Sequence, residues 1–205
     1  LKSLPAGDGH PVMLIPGFMA SDKSMLVLAR YLRHLGYKPL GWQLGRNTGH
    51  PDMLHSHLPD RFEQVVRDAE VPVTLIGQSL GGVYSRELAR RYPDHVRQVI
   101  TLGSPFSMSG SDASNGLVRR LFEPQSGVSV EQMRDRFADD GSPPVPLTAI
   151  YSKGDGVVHW SGCMEKDEDA ITQNIRVPGS HCGMGFNPII YRIVADRLSP
   201  VVGAW

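Results

Sequence analysis

An α/β fold, a mostly parallel sheet with helices on both faces, is predicted by two features of this 205-residue chain. Apolar runs short enough for buried strands alternate with stretches of helical period almost from end to end. Glycine and proline, 22 and 16 of them, are scattered between these segments and do not gather into a linker, so a single domain is expected. There is no internal repeat, charge run or low-complexity tract.

Val12 to Ile15, closed by Pro16-Gly17, reads as the first core strand feeding a loop. Ser21 or Asp22 can cap a helix running to Leu35, where Met25, Leu28, Ala29, Leu32 and Leu35 recur near helical spacing and Gly36 is the stop. Tyr37 to Leu40 can form a second strand, and after the irregular stretch Gly41 to Gly49 a helix is expected from Asp52 to about Asp68. Val73 to Ile76 is apolar without alternation, as a parallel strand covered on both faces should be, and it leads through a turn into a helix ending near Tyr92. Further strands are expected at Val96 to Leu102, Leu147 to Ser152 and Asn174 to Val177, and Pro188 opens a last helix to Leu198.

Between Ser104 and Pro144 the pattern changes. Serines, glycines and prolines surround short amphipathic pieces at Leu117 to Phe122 and Val130 to Phe137, which marks an insertion.

Composition removes several functional classes. The 21 basic and 21 acidic residues cancel, so no overall field recruits nucleic acid or an anionic membrane. No apolar run approaches the roughly 20 residues of a membrane-spanning helix, and Leu1 to His10 lacks a signal-peptide pattern. A soluble protein is expected, cytoplasmic unless a leader preceded Leu1. Two cysteines, Cys163 and Cys182, are too few for a cysteine zinc site, and neither metal nor cofactor is expected.

The chemistry centres on Gly77-Gln78-Ser79-Leu80-Gly81, set between an expected strand and an expected helix. A serine on so sharp a turn is exposed, the flanking glycines let strand and helix pass close to it, and the helix N-terminus favours developing negative charge. A phosphate loop would want a lysine after its last glycine, and Gly81-Gly82 is followed by Val83. A serine hydroxyl is a weak nucleophile, so Ser79 needs a base, and the base needs a partner that fixes its tautomer. Asp155, in Ser152-Lys153-Gly154-Asp155-Gly156 just beyond a strand, is the expected acid, although Gly-Asp-Gly is also ordinary turn chemistry. His181, in Gly179-Ser180-His181-Cys182-Gly183 after the last strand, is the expected base, and His159 follows the acid too closely for that role. Two main-chain amides should bind the oxyanion. The expected pair is Leu80 N–H and Phe18 N–H, with Met19 as the competing choice for the loop donor.

Together these residues resemble the α/β-hydrolase superfamily, in particular small bacterial lipases and esterases with a P-G-F or H-G-F loop, G-x-S-x-G, then a late aspartate and histidine. Leu102-Gly103-Ser104-Pro105 and the run from Gly179 into Asn187-Pro188 add to the likeness, which covers most of the chain. It differs at Gln78, where many lipases carry histidine. The resemblance implies carboxylic-ester hydrolysis on a minimal sheet of about six strands, without the first two of the full fold.

The 104–144 insertion falls where the superfamily places caps, and Leu117, Val118, Leu121 and Phe122 could line the underside of a lid or simply pack a fixed excursion. Met19, Trp42, Phe106 and Trp160 are candidates for an acyl pocket or for core. A disulfide between Cys163 and Cys182 would tie the acid and base loops, against the alternative of two small thiols. The expected function is a serine esterase or lipase acting on a small-molecule ester or lipid. An acyltransferase, thioesterase or amidase would use the same groups, and a non-catalytic binding protein of this fold would usually have lost one of the three.

Overall fold

The computed structural model describes residues 6–107, 123–129, 132, 141–166 and 168–199. Six strands, β1 (Pro11–Ile15), β2 (Lys38–Gly41), β3 (Val73–Gln78), β4 (Val96–Leu102), β5 (Leu147–Tyr151) and β6 (Thr172–Arg176), form one sheet in the order β2-β1-β3-β4-β5-β6. Every neighbouring pair is parallel. Among the described residues the helices that cover the sheet include α1 (Leu26–Leu35), α2 (Leu58–Ala69), α3 (Leu80–Arg91) and α4 (Pro188–Leu198). This is the expected α/β class, a six-stranded sheet with helices on both faces.

Alternation along the strands divides the core into two layers. Val12 and Leu14 of β1 face α1 and α4, where Leu28, Leu32, Ile190 and Val194 are wholly buried. Met13 and Ile15 face the opposite way, onto Leu58 and Phe62 of α2 and Tyr84 and Leu88 of α3. Burying one such side chain stabilises the fold by roughly 1.5–3 kcal/mol, so the two layers supply the main drive to fold. Among the described residues no helix is long and apolar enough to cross a membrane.

Two helix starts differ from expectation. The expected first helix opens as a 3-10 turn, Asp22–Met25, before α1, and neither Ser21 nor Asp22 caps it through its side chain. Asp22 instead accepts the Trp42 and Gln43 main-chain N–H groups at 2.9 and 3.1 Å, joining the end of β2 to the loop after β1. The helix expected from Asp52 opens as a wide π turn, Met53–His57, before α2. Pro59 explains the break, since it has no N–H to offer and its ring crowds the carbonyl one turn back.

The two described ends of the insertion are held to α3 by a buried charge. Arg86 forms an ion pair with Glu165, lies 3.9 Å over the Phe106 ring and donates to the Gly141 carbonyl at 3.0 Å. Glu165 also accepts the Ser142 hydroxyl at 2.7 Å. Burial, with Arg90 nearby, brings the Arg86 pKa down to about 9, which leaves it charged at neutral pH. The two amphipathic pieces expected within the insertion, Gln132 apart, lie outside the described residues.

Candidate active site

In a parallel sheet, loops after the strands gather at one edge, and a crevice opens where successive connections leave in opposite directions. Here that point lies between β1 and β3, because the chain runs from β1 out to β2 and returns to β3 on the other side. The Pro16–Ala20 loop and Ser79 meet at this position.

Ser79 has φ 52° and ψ −124°, a conformation that costs a non-glycine residue on the order of 1–3 kcal/mol and persists only where its surroundings enforce it. The enforcement is visible. Ser79 N–H donates to the Leu102 carbonyl at 2.9 Å, and Gly82 N–H donates to the Ser79 carbonyl at 3.0 Å. Gly77 and Gly81 pass so closely that a Cβ on Gly77 would overlap the Gly81 carbonyl, and one on Gly81 would overlap the Ile15 carbonyl. Leu80 N–H is the first of α3 and so has no partner within the helix.

Asp155 and His181 come from different loops, after β5 and β6, and are brought together. His181 Nδ1–H donates to Asp155 Oδ2 at 2.6 Å, while Asp155 Oδ1 accepts Val157 and Val158 N–H at 2.9 and 3.0 Å. Burial pushes the Asp155 carboxyl up, but the His181 bond and the two main-chain donors outweigh it and hold the pKa below the usual carboxylate range. The acid loop is fixed to the base loop a second time, by Ser152 Oγ donating to the Gly179 carbonyl at 2.6 Å. Asp155 Oδ2 lies beside Gly103, where a Cβ would approach it to 3.1 Å, and Gly103 directly follows the residue that receives Ser79 N–H. Among the described residues no hydrogen bond joins Ser79 Oγ to the imidazole. Such bonds are often long without substrate and tighten in the complex.

The loop after β1 lies against the serine, since a Cβ on Gly17 would sit 3.1 Å from Ser79 Cβ. Met19 N–H, the competing choice for the loop donor, donates to the Asn47 carbonyl at 2.6 Å and is occupied by that bond.

The pocket candidates separate. Trp42 is wholly buried within the core, with its indole N–H donating to the Gly45 carbonyl at 3.0 Å, so it does not line a pocket. Phe106 is buried beneath the Arg86 guanidinium. Met19 and Trp160 are partly exposed, and Trp160 stacks on Tyr151 with Lys153 Nζ 4.5 Å over its ring. The candidate disulfide is not formed. Cys163 is buried in a short helical turn, where burial pushes its thiol pKa up, and Cys182 is exposed; both are free.

Sequence reading missed two polar contacts at this edge. Gln78 Nε2 donates to the His181 main-chain carbonyl at 3.3 Å, and Asn47 Nδ2 donates to the Pro16 carbonyl at 2.9 Å. Both reach across long stretches of chain, which local pattern does not reveal. A look-alike of the acid–base pair was missed as well. At the other end of the sheet His10 lies 2.5 Å from Asp8 Oδ1 and 3.0 Å from Thr74 Oγ1, but Thr74 is wholly buried within β3 and no substrate can meet its hydroxyl. Among the described residues no cluster of three or more histidine, cysteine or acidic side chains could hold a metal ion.

A family model described as alpha/beta hydrolase fold matches residues 70–145. A pimeloyl-[acyl-carrier protein] methyl ester esterase of Shewanella woodyi is 34% identical over 67 residues, which are 32% of this chain and 26% of that protein. This chain therefore aligns with about a quarter of that relative. Among solved structures, a monoacylglycerol lipase of Paleococcus ferrophilus superposes with a TM-score of 0.69 at 14% identity, over 94% of this chain and 96% of that one. Lipase B of Aspergillus fumigatus gives 0.74 at 17% identity, over 97% and 54%. A Bacillus licheniformis lipase gives 0.69 at 15% identity, over 95% and 94%. At such identities the likeness is one of fold.

Proposed function

We propose, from the premise that this chain has the α/β-hydrolase fold, that it is a serine carboxylic-ester hydrolase acting on an ester with an apolar acyl group. The observation that carries the reading is the 2.6 Å bond from His181 Nδ1–H to Asp155 Oδ2 at the same sheet edge as the strained Ser79. With Nδ1–H committed to the carboxylate, the neutral ring has its lone pair at Nε2, where a base must have it.

Ser79 Oγ attacks the acyl carbon while His181 Nε2 takes its proton. The carbonyl oxygen becomes an oxyanion held by Phe18 and Leu80 N–H, and Asp155 stabilises the imidazolium. Collapse breaks the ester bond, and His181 gives the proton to the departing alkoxide. Water then attacks the acyl-enzyme while His181 takes its proton, and as the acyl–Oγ bond breaks His181 returns that proton to Ser79 Oγ, so the acid leaves and both groups are restored. These steps draw on side chains and main-chain amides alone, within one domain. In this reading the acyl group meets Met19 and Trp160, the two pocket candidates that are partly exposed.

A chain-length series of p-nitrophenyl esters, run on wild type and Ser79→Ala, tests the proposal. Wild type is expected to hydrolyse at least one member and Ser79→Ala to lose nearly all of that rate. Absence of hydrolysis by wild type across the series overturns it, and cleavage of short chains only makes the enzyme an esterase and not a lipase.

A further inference from the structure

We propose that Asn47 is the positioning residue of the oxyanion hole, an assignment that rests on reading Phe18 and Leu80 N–H as the oxyanion donors. Asn47 is wholly buried, and four hydrogen bonds run from it. Its Nδ2 donates to the Pro16 carbonyl at 2.9 Å and its Oδ1 accepts Gly49 N–H at 3.2 Å. Its main-chain N–H donates to the Ala20 carbonyl at 2.8 Å, and its carbonyl accepts Met19 N–H at 2.6 Å.

These contacts take hold of the loop on both sides of Phe18. Pro16 is held before it, Met19 and Ala20 after it, and a further bond from Ala20 N–H to the Gly17 carbonyl at 3.1 Å closes the turn from within. Met19 is kept at φ 59°, a left-handed conformation that a methionine adopts only when its surroundings impose it. Gly17 in turn backs directly onto Ser79, so a movement of this loop is a movement of Phe18 N–H relative to the nucleophile.

Oxyanion stabilisation depends on donors that are already in place before charge develops, and loss of one donor typically costs roughly 10²- to 10³-fold in kcat. The amide side chain suits the bracing task because it combines a donor for Pro16 with an acceptor for Gly49. An aspartate would set a carboxylate oxygen against the Pro16 carbonyl, and an alanine would leave both main-chain groups without these partners. The effect belongs to the transition state, since an ester carbonyl in the ground state draws far less on the donors than the oxyanion does.

The test compares wild type, Asn47→Ala and Asn47→Asp, with active sites counted by fluorophosphonate titration so that unfolded protein drops out. The readouts are kcat per titrated site, KM for a p-nitrophenyl ester, and inhibition by an alkylboronic acid, whose tetrahedral adduct on Ser79 places an oxygen in the hole. Asn47→Ala is expected to lose about 10- to 100-fold in kcat, with KM within about threefold and boronate inhibition weakened in parallel. If Asn47→Ala does not fold, the near-isosteric Asn47→Asp is read in the same way. Variants that keep kcat per site and boronate affinity within twofold of wild type overturn the assignment. A wild type that neither hydrolyses ester nor takes up fluorophosphonate overturns the underlying reading of Ser79 and this inference with it, and that outcome is seen before any variant is measured.

Discussion

Gln78 Nε2 donates to the main-chain carbonyl of His181 at 3.3 Å across 103 residues of sequence, so the residue before Ser79 is tied to the loop that carries the imidazole. The nucleophile turn and the base loop are therefore held to one another without a bond between the reacting groups. A neutral, part-buried hydrogen bond of this length is worth about 0.5–1.5 kcal/mol. Gln78→Ala is expected to lower kcat on a p-nitrophenyl ester by roughly two- to tenfold with KM little changed. Gln78→Glu, which turns a carboxylate toward the same carbonyl, should lose more. Steady-state kinetics of the two variants decide it.

Asp155→Asn keeps the size of the side chain but can present an amide donor to His181 Nδ1, favouring the wrong tautomer. In a serine–histidine–aspartate arrangement such a change costs on the order of 10⁴ in kcat, and a loss of about 10³ or more is expected here. The same residue sets a pH dependence of stability. Its carboxyl pKa is lowered in the fold, so its contribution is fully present above the ordinary carboxylate value, about pH 4, and is lost as pH falls through its own lower value. Thermal unfolding from pH 7 to pH 2 should show the Tm gap between wild type and Asp155→Asn narrowing below about pH 4.

Arg86 and Glu165 form a buried ion pair with side-chain exposures of 4% and 7%, too little for solvent to screen it. Removing one partner strands the other, at a cost of about 3–5 kcal/mol, whereas replacing both with apolar residues of similar size is often near neutral. Urea unfolding is expected to find Arg86→Met strongly destabilised, and Arg86→Met/Glu165→Leu to recover most of that loss.

Trp42 sits wholly within the core layer to which α2 and α3 contribute. Trp42→Ala should therefore cost about 3–5 kcal/mol in urea unfolding, through lost burial and the cavity left behind. The order of preference among acyl chain lengths should be that of wild type. A changed preference with undiminished stability would return Trp42 to the pocket.

How much of this was legible depended on the range of the interactions. β4 at Val96–Leu102 and α4 at Pro188–Leu198 fall where pattern and proline placement put them, because burial and local stereochemistry decide those segments. The first helix was harder. Asp22 looks like a cap, but tertiary structure gives its carboxylate two better donors, at Trp42 and Gln43. In the second segment one helix was expected from Asp52 to about Asp68, and only the fold shows that the chain answers Pro59 with a π turn. Asp155 and His181 could be named from their positions after late strands, but their 2.6 Å bond depends on β5 and β6 being neighbours, which local sequence does not state. The contacts of Asn47 and Gln78 were missed for different reasons, since Asn47 sits in an irregular stretch and Gln78 is a variable position inside the Gly77–Gly81 pattern, but each acquires its partner only when distant loops meet.

The most direct measurement is mass-spectrometric mapping of a fluorophosphonate adduct on the intact protein. Wild type is expected to gain one adduct, located on the peptide containing Ser79, with labelling abolished in Ser79→Ala and greatly slowed in His181→Ala. Labelling on another residue, equal labelling of Ser79→Ala, or no labelling of folded wild type would contradict Ser79 as nucleophile.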